Sequence, residues 1–363
     1  MSLTRRSMLG LLGSGAVATA GSRSFAQSAP AIAKGSTLTV STWGGITSDG
    51  LRDYVGPEFE RQTGAKLAFD IGGQGARYNK LLAQKGNQAA DVFFGSDEAI
   101  VGGLRQGLLE PADRKAIANA ADLYSWSETV KAEHPERQIA AVPYTMISYV
   151  LAYNPEVAKE KPTSWGDLWR PEFQNKLAFA APGHSCMPAL VTIAAELAGG
   201  GAGNVDPGFA KLADLRPNRL TFFWTDWAPM VKTGDTLAAT EFDYYLEAMK
   251  AEGYPIDYVF PKEGAIGSPE CAALVAGSKN REIAEAFLNL LIDPKVQEIF
   301  ATQTNQGPTN KTVAVSPERA ARMSYGDGKL SHVRFFDPVS AFENRPTWTE
   351  RLTTEVVPNW QAR

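Results

Sequence analysis

Along most of the chain, short runs of apolar or alternating residues give way to apolar positions at helical spacing. Leu38-Thr39-Val40-Ser41 is a strand-like run ending at Trp43-Gly44-Gly45, and Leu51, Tyr54, Val55 and Phe59 then recur helically as far as Gly64. Lys66–Ile71 predicts a second strand, broken by Gly72-Gly73. Tyr78, Leu81 and Leu82 predict a helix, Asp91–Gly95 a buried strand, and Glu98–Leu109 another helix. Strands separated by helices predict βαβ units and a mostly parallel sheet.

Ile139–Tyr153 departs from this rhythm. It is a long stretch of strand propensity, interrupted by Pro143 and with no helix inside it, as expected of a chain crossing between two α/β lobes. A second series of elements then begins: a Thr163/Ser164 cap before Trp165 and Leu168, a strand at Lys176–Ala180, and a helix over Ala189–Leu197 that stops at Gly199-Gly200. Leu220–Trp224 and Ile256–Phe260 read as strands. Arg281–Ile292 reads as an amphipathic helix ended by Asp293-Pro294, with Val296–Ala301 continuing beyond.

The N-terminus differs in kind. Thr4-Arg5-Arg6-Ser7-Met8-Leu9 resembles a twin-arginine export signature. The uncharged stretch at 7–22 is shorter than the roughly 20 residues a membrane-spanning helix needs. Ser24-Phe25-Ala26 has small residues where a signal peptidase reads, so residues 1–26 are expected to be a cleaved signal and 27–35 a flexible leader. With Arg5, Arg6 and Arg23 removed, the net charge moves from −4 to −7, a modest push toward cationic or neutral ligands and away from nucleic acid. Two cysteines cannot form a disulfide framework, although Cys186 and Cys271 could pair in an oxidising compartment or remain buried thiols.

Catalytic motifs are scarce. There is no phosphate-binding Gly-Lys-Ser/Thr loop, no His-Glu-x-x-His and no Cys-x-x-Cys, and Gly72-Gly73-Gln74-Gly75 lacks dinucleotide-binding spacing. Gly183-His184-Ser185-Cys186-Met187 resembles a nucleophile elbow but ends in Met187 where that motif needs glycine. These residues are the only basis for a secreted-hydrolase alternative, and the chain reads as no enzyme.

Several segments, in order, resemble the solute-binding receptors of bacterial ABC importers, most closely the spermidine/putrescine-binding type. They are Leu38–Gly45, Asp91–Glu98, Gly107–Pro111, Ala141–Tyr144, Pro162–Trp169, Asn175–Ala178, Pro261–Ile266 and Ser278–Asn280. The resemblance implies a type II periplasmic-binding-protein fold: two α/β lobes, a hinge crossed twice and ligand trapped between the lobes. Lobe one would comprise 36–143 and 271–310, and lobe two 144–270 and 311–363, with the second crossing near Ser268–Cys271. It also implies a periplasmic monomer without cofactor that delivers a small amine or amino acid to a membrane permease and has no nucleic-acid partner.

A polyamine site needs carboxylates at its ammonium ends and aromatic walls between them. The resemblance carries over Trp43 and Phe242 as wall aromatics, Ser96 and Asp97 from the loop after the third strand, and Glu270 as a ligand carboxylate. Ala181-Pro182-Gly183-His184-Ser185 stands where the family has acidic residues, and Ser268 where it has a second wall aromatic. Asp97, Glu98 or Asp243 would supply a substitute carboxylate, and Arg77 would suit a ligand carboxylate. Tyr144, Asp226 and Tyr245 complete the candidate set. Each has a plainer alternative: Trp43 in lobe packing, Asp97 or Glu98 at a helix start, Asp226 in a turn. The Tyr244-Tyr245 pair also resembles the ligands of ferric-iron receptors in the same superfamily, with Asp97 or Glu98 as carboxylate. The early histidine of that ligand set is absent, since Thr42-Trp43-Gly44 occupies its place.

Overall fold

A computed structural model describes residues 35–361. The expected export signal, and the leader up to residue 34, lie outside the described residues.

Eight strands form the spine of a mixed sheet. They are β1 (Thr37–Thr42), β2 (Lys66–Ile71), β3 (Val92–Ser96), β4 (Val142–Tyr153), β5 (Leu177–Ala180), β6 (Arg219–Thr221), β7 (Ala238–Phe242) and β8 (Ala265–Val275). Their order across the sheet is β2-β1-β3-β8-β4-β7-β5-β6. The two outer groups, β2-β1-β3 and β7-β5-β6, are internally parallel, as the alternating strands and helices predicted. The long strands β8 and β4 join the groups and run antiparallel to each other and to the adjacent members of those groups, β3 and β7.

β4 is buried along its whole length, so both its faces are apolar and no alternation is visible in its sequence. Pro143 has no N–H to give to a ladder. It faces Cys271 where the β4–β8 register shifts, while Thr145 faces Glu270, so Tyr144 is the extra residue of a bulge. The predicted strand at Leu220–Trp224 is shorter than expected. It ends at Thr221, whose hydroxyl takes the Phe223 N–H at 2.9 Å and turns the chain away from the sheet.

Of the four apolar clusters among the described residues, the two largest both take in residues of the crossing strands. One gathers Leu38, Val40, Phe59, Phe94 and Phe287, and the other Trp165, Phe179, Leu190, Val191 and Trp360. Four helices position the site: α1 (Gln74–Ala83), α2 (Asp97–Arg105), α3 (Asp243–Ala251) and α4 (Pro338–Arg351). The last of these was not predicted. Asp337 caps it by accepting from the N–H groups of Val339 and Ser340, and Pro338 takes the first turn, where a missing N–H is harmless. Val339 and Phe342 of α4 pack beside Phe93 and Cys271, whereas Trp348 joins the second core. The C-terminal segment therefore touches both halves. Cys186 and Cys271 are both free thiols and both buried.

Candidate functional site

A cavity of about 500 Å³ opens between the two halves, bordered by the ends of β1, β3 and β7 and by the middle of β8. This is where ligands of two-layer α/β proteins collect, because strand ends and helix starts converge there. Of the residues singled out from sequence, Trp43, Ser96, Glu98, Phe242, Tyr244, Tyr245 and Glu270 line it. Ser96 caps α2 and receives the Gln74 side chain at 3.1 Å, so the polar edge of the cavity is held by two helix starts.

Four of the other candidates lie elsewhere, each for a local reason. Asp97 borders a small adjoining void of about 50 Å³, because the first turn of α2 points it away from the cleft. Tyr144 is buried behind the cavity, where its hydroxyl donates to Glu270 at 2.8 Å. Asp243 accepts from the Ser148 N–H at 3.1 Å and from the Ser324 hydroxyl at 2.6 Å, binding the start of α3 to β4 and the C-terminal segment. Asp226 accepts from the Thr221 hydroxyl at 3.0 Å in the turn after β6.

Arg77 is buried and lies outside the cavity lining. Nε donates to the Gly72 carbonyl and Nη1 to those of Ser41 and Phe94, while its guanidinium lies 4.9 Å from the ring centres of both Trp43 and Phe93. Its role here is to fix Trp43 by cation–π packing.

Two carboxylates dominate the electrostatics. Glu241, at the end of β7, is 4% exposed, and Glu270, in the middle of β8, is 8% exposed. Glu241 accepts from the Phe242 N–H at 2.9 Å and the Trp227 indole at 3.3 Å; Glu270 accepts from Tyr144. Among the described residues, neither forms an ion pair. Burial pushes both carboxyls up to about 7, against the pull of those donors and, for Glu270, of the Arg77 charge. An unpaired buried carboxylate is costly unless a cation arrives to meet it.

Tyr244 and Tyr245 lie between these acids electrostatically, since the charges of both raise both phenols. Their rings are 4.0 Å apart. Burial is the main cause of the upward shifts, and it pushes Tyr245 to about 12. The pair is therefore a neutral aromatic wall in this structure. Phe222 and Phe223 add a half-exposed aromatic rim, each 52% exposed.

The opposite edge is built differently. Glu98 is 6% exposed and ion-paired to Arg345, reached by both Nε and Nη2. Arg345 Nη1 also donates to the carbonyls of Gly183 and His184 at 3.1 and 3.2 Å, and Nη2 to that of Ser185 at 3.2 Å. All five of its N–H groups are thus engaged.

The nucleophile-elbow look-alike is occupied by structural contacts. His184 Nδ1 accepts the backbone N–H of Cys186 at 3.1 Å, so this nitrogen is not free to take a proton from Ser185 or Cys186. Burial lowers His184 to about 4 and pushes the Cys186 thiol up, opposite to what an activated pair requires.

Sequence reasoning missed Glu241 and Arg345. Glu241 carried a readable signal, a lone acid in the otherwise uncharged run Ala238–Phe242. Arg345 carried none, because its partners are about 160 and about 250 residues away.

The sequence pattern of the bacterial extracellular solute-binding proteins matches residues 56–323. The chain belongs to this family, as a solute-binding protein of the ABC-transporter type. It is 26% identical over 265 residues to spermidine/putrescine-binding periplasmic protein 1 of Haemophilus influenzae, covering 72% of each chain. It is 27% identical over 312 residues to the gamma-aminobutyric acid-binding protein of Pseudomonas aeruginosa, covering 81% of this chain and 83% of that one. The crystal structure of an ABC transporter protein from Clostridium perfringens superposes with a TM-score of 0.73 at 27% identity, covering 90% of this chain and 99% of the other.

Proposed function

We propose that this protein is an exported receptor that captures a small diamine or polyamine and hands it to a membrane permease. In this reading the signal at residues 1–26 directs twin-arginine export and is cleaved near Ala26, placing the mature monomer in the periplasm. In the same reading the lobes divide as the family resemblance implies, and the cleft closes around the ligand.

The observation that carries the ligand class is the pair Glu241 and Glu270, two buried carboxylates without a cationic partner in an aromatic-walled cavity. Ammonium groups would complete both with charge-assisted hydrogen bonds, and the methylene chain would lie against Trp43, Phe242 and the Tyr244-Tyr245 pair. Relatives that bind spermidine or putrescine agree with this reading, while one named for gamma-aminobutyric acid raises the amino-acid alternative. An amino acid also needs a cation for its carboxylate. Arg345 is the only cationic side chain lining the cavity among the described residues, and its donors are all engaged.

The test is a thermal-shift panel on the mature protein with putrescine, spermidine, γ-aminobutyrate, α-amino acids and ferric citrate. At a hundredfold excess over Kd a bound ligand adds about 2.7 kcal/mol of stability. Stabilisation by the amines and not by γ-aminobutyrate is expected. Stabilisation by γ-aminobutyrate alone would replace the ligand class, and a coloured, stabilised iron complex would move the site to the tyrosine pair.

A further inference from the structure

Glu98 and Arg345 form the one ion pair within the cavity wall among the described residues. Glu98 stands in the first turn of α2, just beyond Ser96, which is the register partner of Glu270. Arg345 comes from α4, outside the segment matched by the family pattern. That helix is seated closely: a Cβ on Gly102 of α2 would fall 2.5 Å from the Phe342 ring and 2.8 Å from the Tyr78 hydroxyl. Only glycine at 102 lets Phe342, one helical turn before Arg345, pack at this depth. The guanidinium is therefore delivered to a fixed place, where two donors meet Glu98 and the others meet three carbonyls of the 183–185 loop.

We infer that Arg345 is a specificity-determining residue that, by neutralising Glu98, sets how many ammonium groups the cavity accepts. This rests on the amine reading above. The cavity wall holds three buried carboxylates, and the ion pair leaves only two of them, Glu241 and Glu270, to a ligand. With Arg345 in place the site matches a diamine, because a third ammonium would meet an acid already neutralised and a guanidinium of its own sign. Without Arg345, Glu98 becomes a third acceptor and a triamine gains a partner. The converse change follows from the same geometry. Replacing Glu98 by Gln removes the charge that neutralises Arg345 and one of its two acceptor oxygens, so the guanidinium gains a free donor and an unmatched positive charge for a ligand carboxylate, and an ω-amino acid becomes the better ligand.

Isothermal titration of the wild type, Arg345→Gln and Glu98→Gln with putrescine, spermidine and γ-aminobutyrate tests both directions, with thermal unfolding checking that each variant folds. Arg345→Gln is expected to move the spermidine-to-putrescine affinity ratio by about tenfold or more toward spermidine, the size of one charged hydrogen bond. Glu98→Gln is expected to weaken both amines and to gain γ-aminobutyrate binding. If Arg345→Gln fails to fold, Glu98→Gln alone decides the matter. Unchanged ligand ratios in the folded variants, with the wild type still binding putrescine, overturn the role of Arg345 and leave the amine reading intact. A wild type that binds no amine overturns the amine reading itself.

Discussion

The two edges of the cleft solve the same problem, a carboxylate out of water, in opposite ways. At one edge Glu98 is matched by a guanidinium whose every donor is engaged, so that edge is electrically complete. At the other, Glu241 and Glu270 have hydrogen-bond donors but no ion-pair partner among the described residues, and burial raises both carboxyls to about 7. Burial is similar in the three cases; the presence of a counter-charge is what differs. Acidic residue type and cleft location are therefore insufficient to mark a ligand group, and the unpaired acids are the ones that await one.

The largest effect should come from removing that difference. Glu241→Gln and Glu270→Gln are each expected to weaken putrescine binding by about ten- to hundredfold in isothermal titration, the range for a hydrogen bond to a charged group. Both variants should also melt higher than the wild type without ligand above about pH 7, since each deletes an unpaired buried charge. A loss of stability there would instead mean that the carboxylates are structural.

A second effect concerns pH. Folded Glu241 and Glu270 keep their protons up to about 7, whereas unfolded glutamates release theirs around 4.5. Between those values the folded state binds more protons, so these groups lower the stability of the ligand-free protein as pH rises. The amine, which needs them ionised, should bind more tightly over the same interval. A fall of melting temperature with pH in the ligand-free protein that flattens at saturating putrescine, and is reduced in the double Glu-to-Gln variant, would confirm that the unpaired edge is responsible.

Trp43→Ala tests the wall between the charges. About a tenfold loss of amine affinity is expected from a lost cation–π face together with the packing of Arg77 beneath it. The smallest effect should be at Cys186, which is buried in the second core and does not line the cavity. Cys186→Ala is expected to leave putrescine affinity within about twofold. In the wild type, a thiol reagent should find two reactive groups only after unfolding.

Periodicity made the alternation of strands and helices legible, and the long strand propensity of 139–153, with no helix inside it, marked the crossing strand β4. It could not disclose that β4 and β8 pair with each other, since that pairing joins residues more than 100 apart. Of the site, Trp43, Phe242 and Glu270 were legible through the family resemblance, and Trp43 also by its place just after the first recognisable strand. Glu98 was legible as an acid, but its neutralisation was not, because Arg345 arrives on a helix for which the local sequence, with Pro346 inside it, gave little signal. Asp243 looked like a ligand for the same reason that Glu241 was overlooked: adjacent residues at a strand-to-helix turn face different directions, and sequence alone does not say which faces the cleft.

The most direct measurement of the unpaired edge is proton exchange during binding. Titrating putrescine into the protein at about pH 6.5, in two buffers of different ionisation enthalpy, counts the protons displaced as the acids ionise to meet the ligand. Net proton release at about pH 6.5, fading to none by about pH 8.5, is expected. Tight binding with no proton release at either pH would contradict the assignment of Glu241 and Glu270 as the ammonium-binding groups.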